Sequence, residues 1–213
     1  MSTPAPHLPN ASRAIWLKNL HRWHWISAAL SLTGMLLFAV TGITLNNATS
    51  IEAKPVVANR QAVLPRPLVD VLDKFAAGHV DTRAPLPPAL ARFAKGAFAV
   101  DVEGMDAEWT DGEAYVALPR PGGDGWLRLS SDGSAEHEVT SRGAVSWLND
   151  LHKGRHTGLV WSWFIDLFAV ACLVFCITGF CIMKLHATNR PSTWPVIGFG
   201  ILVPVLLALL FTH

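Results

Sequence analysis

The stretch "LHKGRHTGLVW", residues 151–161, is where a polar, turn-rich part of the chain gives way to a long apolar one. Residues 159–183, just downstream, contain a single charged side chain, Asp166. A run of that length crosses a hydrocarbon core of about 30 Å as one helix. Trp25 to Leu45, near the start of the chain, is a second run with no charge at all, and Trp194 to Phe211 is a third that contains Pro195 and Pro204. With 51% hydrophobic and 15% charged residues among 213, the apolar mass massed at the two ends excludes one soluble domain. The sequence therefore predicts an α-helical membrane protein with three transmembrane helices, at 25–45, 157–185 and 194–213.

Charge orients these helices. Arg13, Lys18 and Arg22 precede the first run without an acidic neighbour, and Lys184 and Arg190 flank the link between the second and third. The positive-inside rule makes residues 1–24 and 186–193 cytoplasmic and leaves residues 46–156 outside. The outer stretch from 46 to 158 carries 15 acidic and 12 basic residues, consistent with translocation. The first run is longer than the roughly 7–15 apolar residues of a signal peptide and no A-x-A site follows it, so it is expected to remain as a membrane anchor. Cys172, Cys176 and Cys181 all lie in the second run, which implies no disulfide framework. Cys172 and Cys176 stand one turn apart and, with Met183 or Met35, are conceivable soft-metal ligands, but packing against a neighbouring helix is the favoured reading.

The outer segment reads as α+β. From Pro67, Leu68, Val69, Leu72, Phe75 and Ala76 recur at helical spacing behind a proline suited to a helix start. After the proline-rich joint "APLPPAL" come the short runs "GAFAVDV", "AEWT", "EAYVALP", "GWLRLS" and "AEHEV", separated by Asp-Gly and Gly-Gly turn signals. One helix on a small antiparallel sheet is expected, with Phe98, Trp109 and Trp126 as its bulky core. No phosphate loop, nucleophile elbow or catalytic cluster stands here, and His79 and His137 read as lone surface histidines.

The remaining signal is histidine at the membrane edges. "LHRWHW" at 20–25 carries His21 and His24; "LHKGRH" carries His152 and His156, which share a face if the helix has already begun. "LLFAVTGITL" (36–45) and "LVFCITGFCI" (173–182) form a weak internal repeat, each with its Thr-Gly some 20–26 residues after a Leu-His-basic start. Thr-Gly in such a helix has a plain explanation, since small residues let helices approach closely. Haem needs axial ligands on facing helices at one depth and small residues beside the ring. His24 heads a groove of Ala28, Ser31, Met35 and Gly42. His186 is its expected inner partner, and His152 or His156 is an outer ligand to be completed by His213 or by a histidine of a second subunit. Headgroup contact by each of these histidines is the rival reading. Asp166, about 10 Å below His156 on a regular helix, is expected to hydrogen-bond a ligand imidazole, pass protons, or bond Trp161 or Ser162.

These residues resemble a known family. "LHRWHW" before a helix ending in "TG", then an outer segment, "LNDLHKGRHTGL" and a second "TG" helix, are similar to small PepSY-associated transmembrane proteins of bacterial inner membranes. The resemblance spans roughly residues 16–190. It implies an inner-membrane protein with a periplasmic PepSY-like domain, related to haem-containing reductases that send electrons to ferric siderophores. By that resemblance His21 or His24 and His152 or His156 match the group's membrane histidines. The expected function is b-type haem electron transfer to a periplasmic flavin, metal or siderophore, with His24, His156 and His186 as iron ligands and a second copy or a redox protein as partner. The alternative is a non-enzymatic anchor whose outer domain binds or inhibits a partner protein. The chain has three membrane helices where larger relatives have four or more, which leaves a two-haem site within one monomer open.

Overall fold

A computed structural model describes residues 11–51 and 54–211. The chain divides into two compact units, residues 1–37 with 163–213 and residues 38–162. Three of its helices are long and apolar enough to cross a membrane: α1 (Ala11–Asn46), α5 (Gly158–His186) and α6 (Thr193–Phe211). α1 begins well before the apolar run, because Ile15, Trp16, Leu17 and Leu20 continue helical sequence through the basic segment. α6 keeps its helix through Pro204.

In the first unit α1 and α5 pack through small residues. Ser27 and Ser31 are buried, and each hydroxyl donates to its own helix, to the Trp23 and Ser27 carbonyls, so neither leaves a polar group bare. The ring of Phe168 stands directly over Gly34; a Cβ there would lie 2.3 Å from the ring. Ser31 belongs to the groove expected below His24, whereas Gly34, which the Phe168 ring covers, does not.

The second unit holds a six-stranded antiparallel sheet, built of β1 (Val56–Val63), β2 (Thr82–Pro85), β3 (Asp106–Thr110), β4 (Glu113–Ala117), β5 (Gly123–Ser130) and β6 (Ser134–Ser141) in the order β1-β6-β5-β4-β3-β2. α2 (Arg66–Gly78) and α3 (Pro88–Phe98) supply Leu72, Ala76, Leu90, Ala94 and Phe98 to a core completed by Trp109, Val116, Leu127 and Leu129 from the sheet. Strict alternation along β5 buries one face and leaves the other half-exposed. Each leucine so buried contributes about 1.5–3 kcal/mol. Asp-Gly turns join β3 to β4 and β5 to β6, and Gly112 and Gly133 take the positive φ those turns require.

Four expectations change. α3 is a second helix, because the prolines read as a joint sit at its start, Pro87 as cap and Pro88 in the first turn, where a missing N–H costs nothing. β1 and β2 extend the sheet at both edges; neither shows strong alternation, as edge strands need not. Trp126 lies on the uncovered face, stacked on Tyr115 at 6.2 Å with the Arg128 guanidinium over its ring. His137 is on the covered face, 6% exposed, with its Nδ1 bonded to the Trp126 carbonyl.

Candidate functional site

A short helix, α4 (Gly143–Lys153), carries the motif "NDLH" and links three parts of the second unit. Asn149 Oδ1 accepts from Thr44 of α1 at 2.8 Å. Asp150, 3% exposed at its side chain, accepts the Gly122 N–H of the turn before β5 and the Arg155 guanidinium. Gly122 is obligatory: its φ is +72°, and a Cβ would lie 2.7 Å from the backbone of Trp147. Two residues after Asp150, the His152 imidazole meets α1, with Nδ1 2.7 Å from Thr41 Oγ1, its ring 4.9 Å from that of Phe38 and its edge on Gly42.

His152 and His156 are not one turn apart on a helix. Gly154 closes α4 in the left-handed conformation, and His156 and Gly158 also have positive φ, so the chain reverses before α5 begins. His156 is exposed in that turn. Arg155 folds back to Asp150, and Trp161 Nε1 donates to the Leu151 carbonyl across it.

In the other unit the same arrangement recurs with the roles of the segments exchanged. His24 of α1 places Nδ1 3.0 Å from Thr178 Oγ1 of α5, stacks on Phe175 with centroids 4.8 Å apart, and abuts Gly179, where a Cβ would approach its Cε1 to 3.1 Å. Thus "Phe-x-x-Thr-Gly" at 38–42 holds the histidine that follows the sheet domain, and "Phe-x-x-Thr-Gly" at 175–179 holds the histidine at the start of the chain. The repeat gave Thr-Gly and the histidines separately; their pairing, and the roles of Phe38, Phe175, Asn149 and Asp150, were not read from the sequence.

The other candidates fall elsewhere. His21 and His186 are exposed and bond their own helices, at the Leu17 and Ile182 carbonyls. His186 lies seven residues beyond Gly179, about 10 Å along the helix. His213 lies outside the described residues. Asp166 is exposed and makes no hydrogen bond or ion pair among the described residues, so it supports neither imidazole; Trp161 and Ser162, its other expected partners, donate to the carbonyls of Leu151 and Gly158. Cys172, Cys176 and Cys181 are free thiols, and no cluster of three or more metal-ligating side chains occurs among the described residues. His24 and His152 therefore fit one ligand position each, with Nε2 unbonded among the described residues, and those residues bring no second imidazole beside either.

Three apolar helices with an α+β sheet domain inserted between the first and second define a membrane protein with a large insertion between its membrane helices. The family described as "Putative PepSY_TM-like" matches residues 15–213, and the chain belongs to it. No curated protein and no solved structure matches the chain.

Proposed function

We propose that the protein is a b-type haem electron-transfer protein of the bacterial inner membrane, passing electrons to a periplasmic acceptor such as a flavin, a metal ion or a ferric siderophore. The observation that carries this reading is the twofold recurrence of one imidazole held by Phe, Thr and Gly, on α1 in one case and at the C-terminal end of α4 in the other. His24 and His152 would each hold a haem iron through one imidazole nitrogen. Bound iron would supply the one-electron chemistry. The protein's part is to fix each imidazole, shield it with Phe175 or Phe38, and leave room through Gly179 or Gly42. No second imidazole stands beside His24 or His152 among the described residues, so a second ligand to either iron would have to come from elsewhere in the chain or from a second copy of it. His156, in the exposed turn, would contact a haem propionate. The basic residues Arg13, Lys18, Arg22, Lys184 and Arg190 support a cytoplasmic N-terminus and a periplasmic sheet domain.

A reduced-minus-oxidised spectrum of the purified protein, expressed with ample haem, tests the reading. His24→Ala and His152→Ala are each expected to remove part of the haem, and a colourless wild-type protein sinks the proposal. The alternative, an anchor whose sheet domain binds a partner protein, draws support from β1, an eight-residue edge strand exposed almost throughout. It predicts that His24→Ala and His152→Ala leave function intact while a proline at Asn59 abolishes it.

A further inference from the structure

The geometry points to Thr178 and Thr41 as positioning residues that fix His24 and His152 in the tautomer with the proton on Nδ1, leaving Nε2 bare as the ligand atom. Its use rests on the ligand reading above, but the tautomer itself follows from hydrogen-bond accounting. A threonine hydroxyl has one proton and two lone pairs. Thr178 Oγ1 lies 2.7 Å from the Val174 carbonyl and 3.1 Å from that of Phe175, and a carbonyl only accepts, so the hydroxyl proton is engaged on its own helix. What Thr178 turns toward His24 Nδ1 at 3.0 Å is a lone pair, and Nδ1 must donate. Thr41 repeats the arrangement, with Oγ1 facing the Phe38 carbonyl at 3.3 Å and His152 Nδ1 at 2.7 Å.

A ring nitrogen that donates leaves the other with its lone pair free, and the bond the first nitrogen makes sets both ring orientation and ligand basicity. The neighbouring residues enforce the same pose. Phe175 lies within 15° of parallel to the His24 ring, and Gly179 admits its edge where a methyl group would crowd it. Two imidazoles so held, one by each copy of the same five-residue pattern, make chance contact a poor account of either.

The test uses full-length protein with nitrogen-labelled histidine in lipid nanodiscs, without added haem, and long-range proton–nitrogen correlation spectra. Signals are assigned by their loss in His24→Asn and His152→Asn. His24 and His152 are expected to show Nδ1–H with Nε2 unprotonated, Thr178→Val to release His24 to a tautomer mixture, and Thr178→Ser to keep the wild-type pattern. Wild-type spectra showing Nε2–H at His24 would overturn the assignment whether or not Thr178→Val folds. The same samples titrated with haem b separate the two ideas. The expected tautomers without haem uptake would leave the positioning role standing and remove the haem reading. With uptake, Thr178→Val is expected to raise the midpoint potential of one centre, because an imidazole without its Nδ1 acceptor is the weaker base.

Discussion

Replacing Asp150 should loosen the link between the sheet domain and His152, by an amount that can be worked out from its partners. The carboxylate makes two kinds of bond: one oxygen accepts the Gly122 N–H at 2.8 Å and the other accepts Arg155 at 2.7 and 2.9 Å. Asp150→Ala orphans the buried Gly122 N–H, which costs about 1–3 kcal/mol. Loss of the ion pair adds less, because the Arg155 side chain is 51% exposed and water takes up its charge; an exposed pair is worth about 0–1 kcal/mol. The sum is about 1–4 kcal/mol. Asp150→Asn retains an oxygen for Gly122 and loses only the charge, so about 1 kcal/mol is expected. Guanidinium unfolding of the full chain in detergent, followed by tryptophan fluorescence, gives the ranking, and hydrogen exchange at the Gly122 amide locates it. An Asp150→Ala protein within 0.5 kcal/mol of wild type, with that amide still protected, would refute the reasoning.

Gly34→Leu drives a side chain into the Phe168 ring and should destabilise the α1–α5 pair by about 1–3 kcal/mol; Phe168→Ala in the same chain should recover much of the loss, and a double-mutant cycle measures it. Leu72→Ala opens a hole in the fully buried core between α2 and the sheet, and should cost about 2–5 kcal/mol in the same unfolding assay. The Lys95 ammonium holds the Asp101 carboxyl below its ordinary range, and Asp101 raises Lys95 in return. The Asp101 contribution is therefore present above the usual carboxylate pKa and fades as pH falls through its lowered value, while that of Lys95 fades as pH rises through its raised one. Asp101→Asn should flatten both ends of the stability–pH curve, and added salt should do the same.

The membrane helices were legible because 20 or so uncharged residues in a row have few other uses, and the hairpins because Asp-Gly dictates their turns. The outer helix was legible for the same kind of reason, its apolar residues at 68–76 recurring with helical period. α3 was hidden by its own prolines, which break a helix inside but suit its first turn. Trp126 was misplaced because alternation along β5 fixes which residues share a face but not which face is covered. The histidines were found as residues and missed as partners. His156 was paired with His152 by spacing alone, whereas Gly154 had already ended the helix between them. Thr41 and Thr178 were explained by their glycines, since small residues suffice for close packing, and a hydrogen bond across 111 or 154 residues leaves no local trace in the chain.

Those separations bear on how the protein is made. α1 enters the membrane first, carrying His24 and the Phe38–Gly42 segment, and the imidazole partners described above for each lie more than 100 residues away. At roughly 5–20 residues per second, the 154 residues between His24 and Thr178 take about 8–30 s to synthesise. During that interval a polar imidazole and a threonine wait at the ends of a lone helix, while the sheet domain must fold and bring its last helix back to Thr41. The first histidine can then be satisfied only after α5 has inserted. Any chain that stalls between Ser162 and Thr178 leaves the His24 imidazole without its threonine, a polar group by which an unfinished copy differs from a finished one.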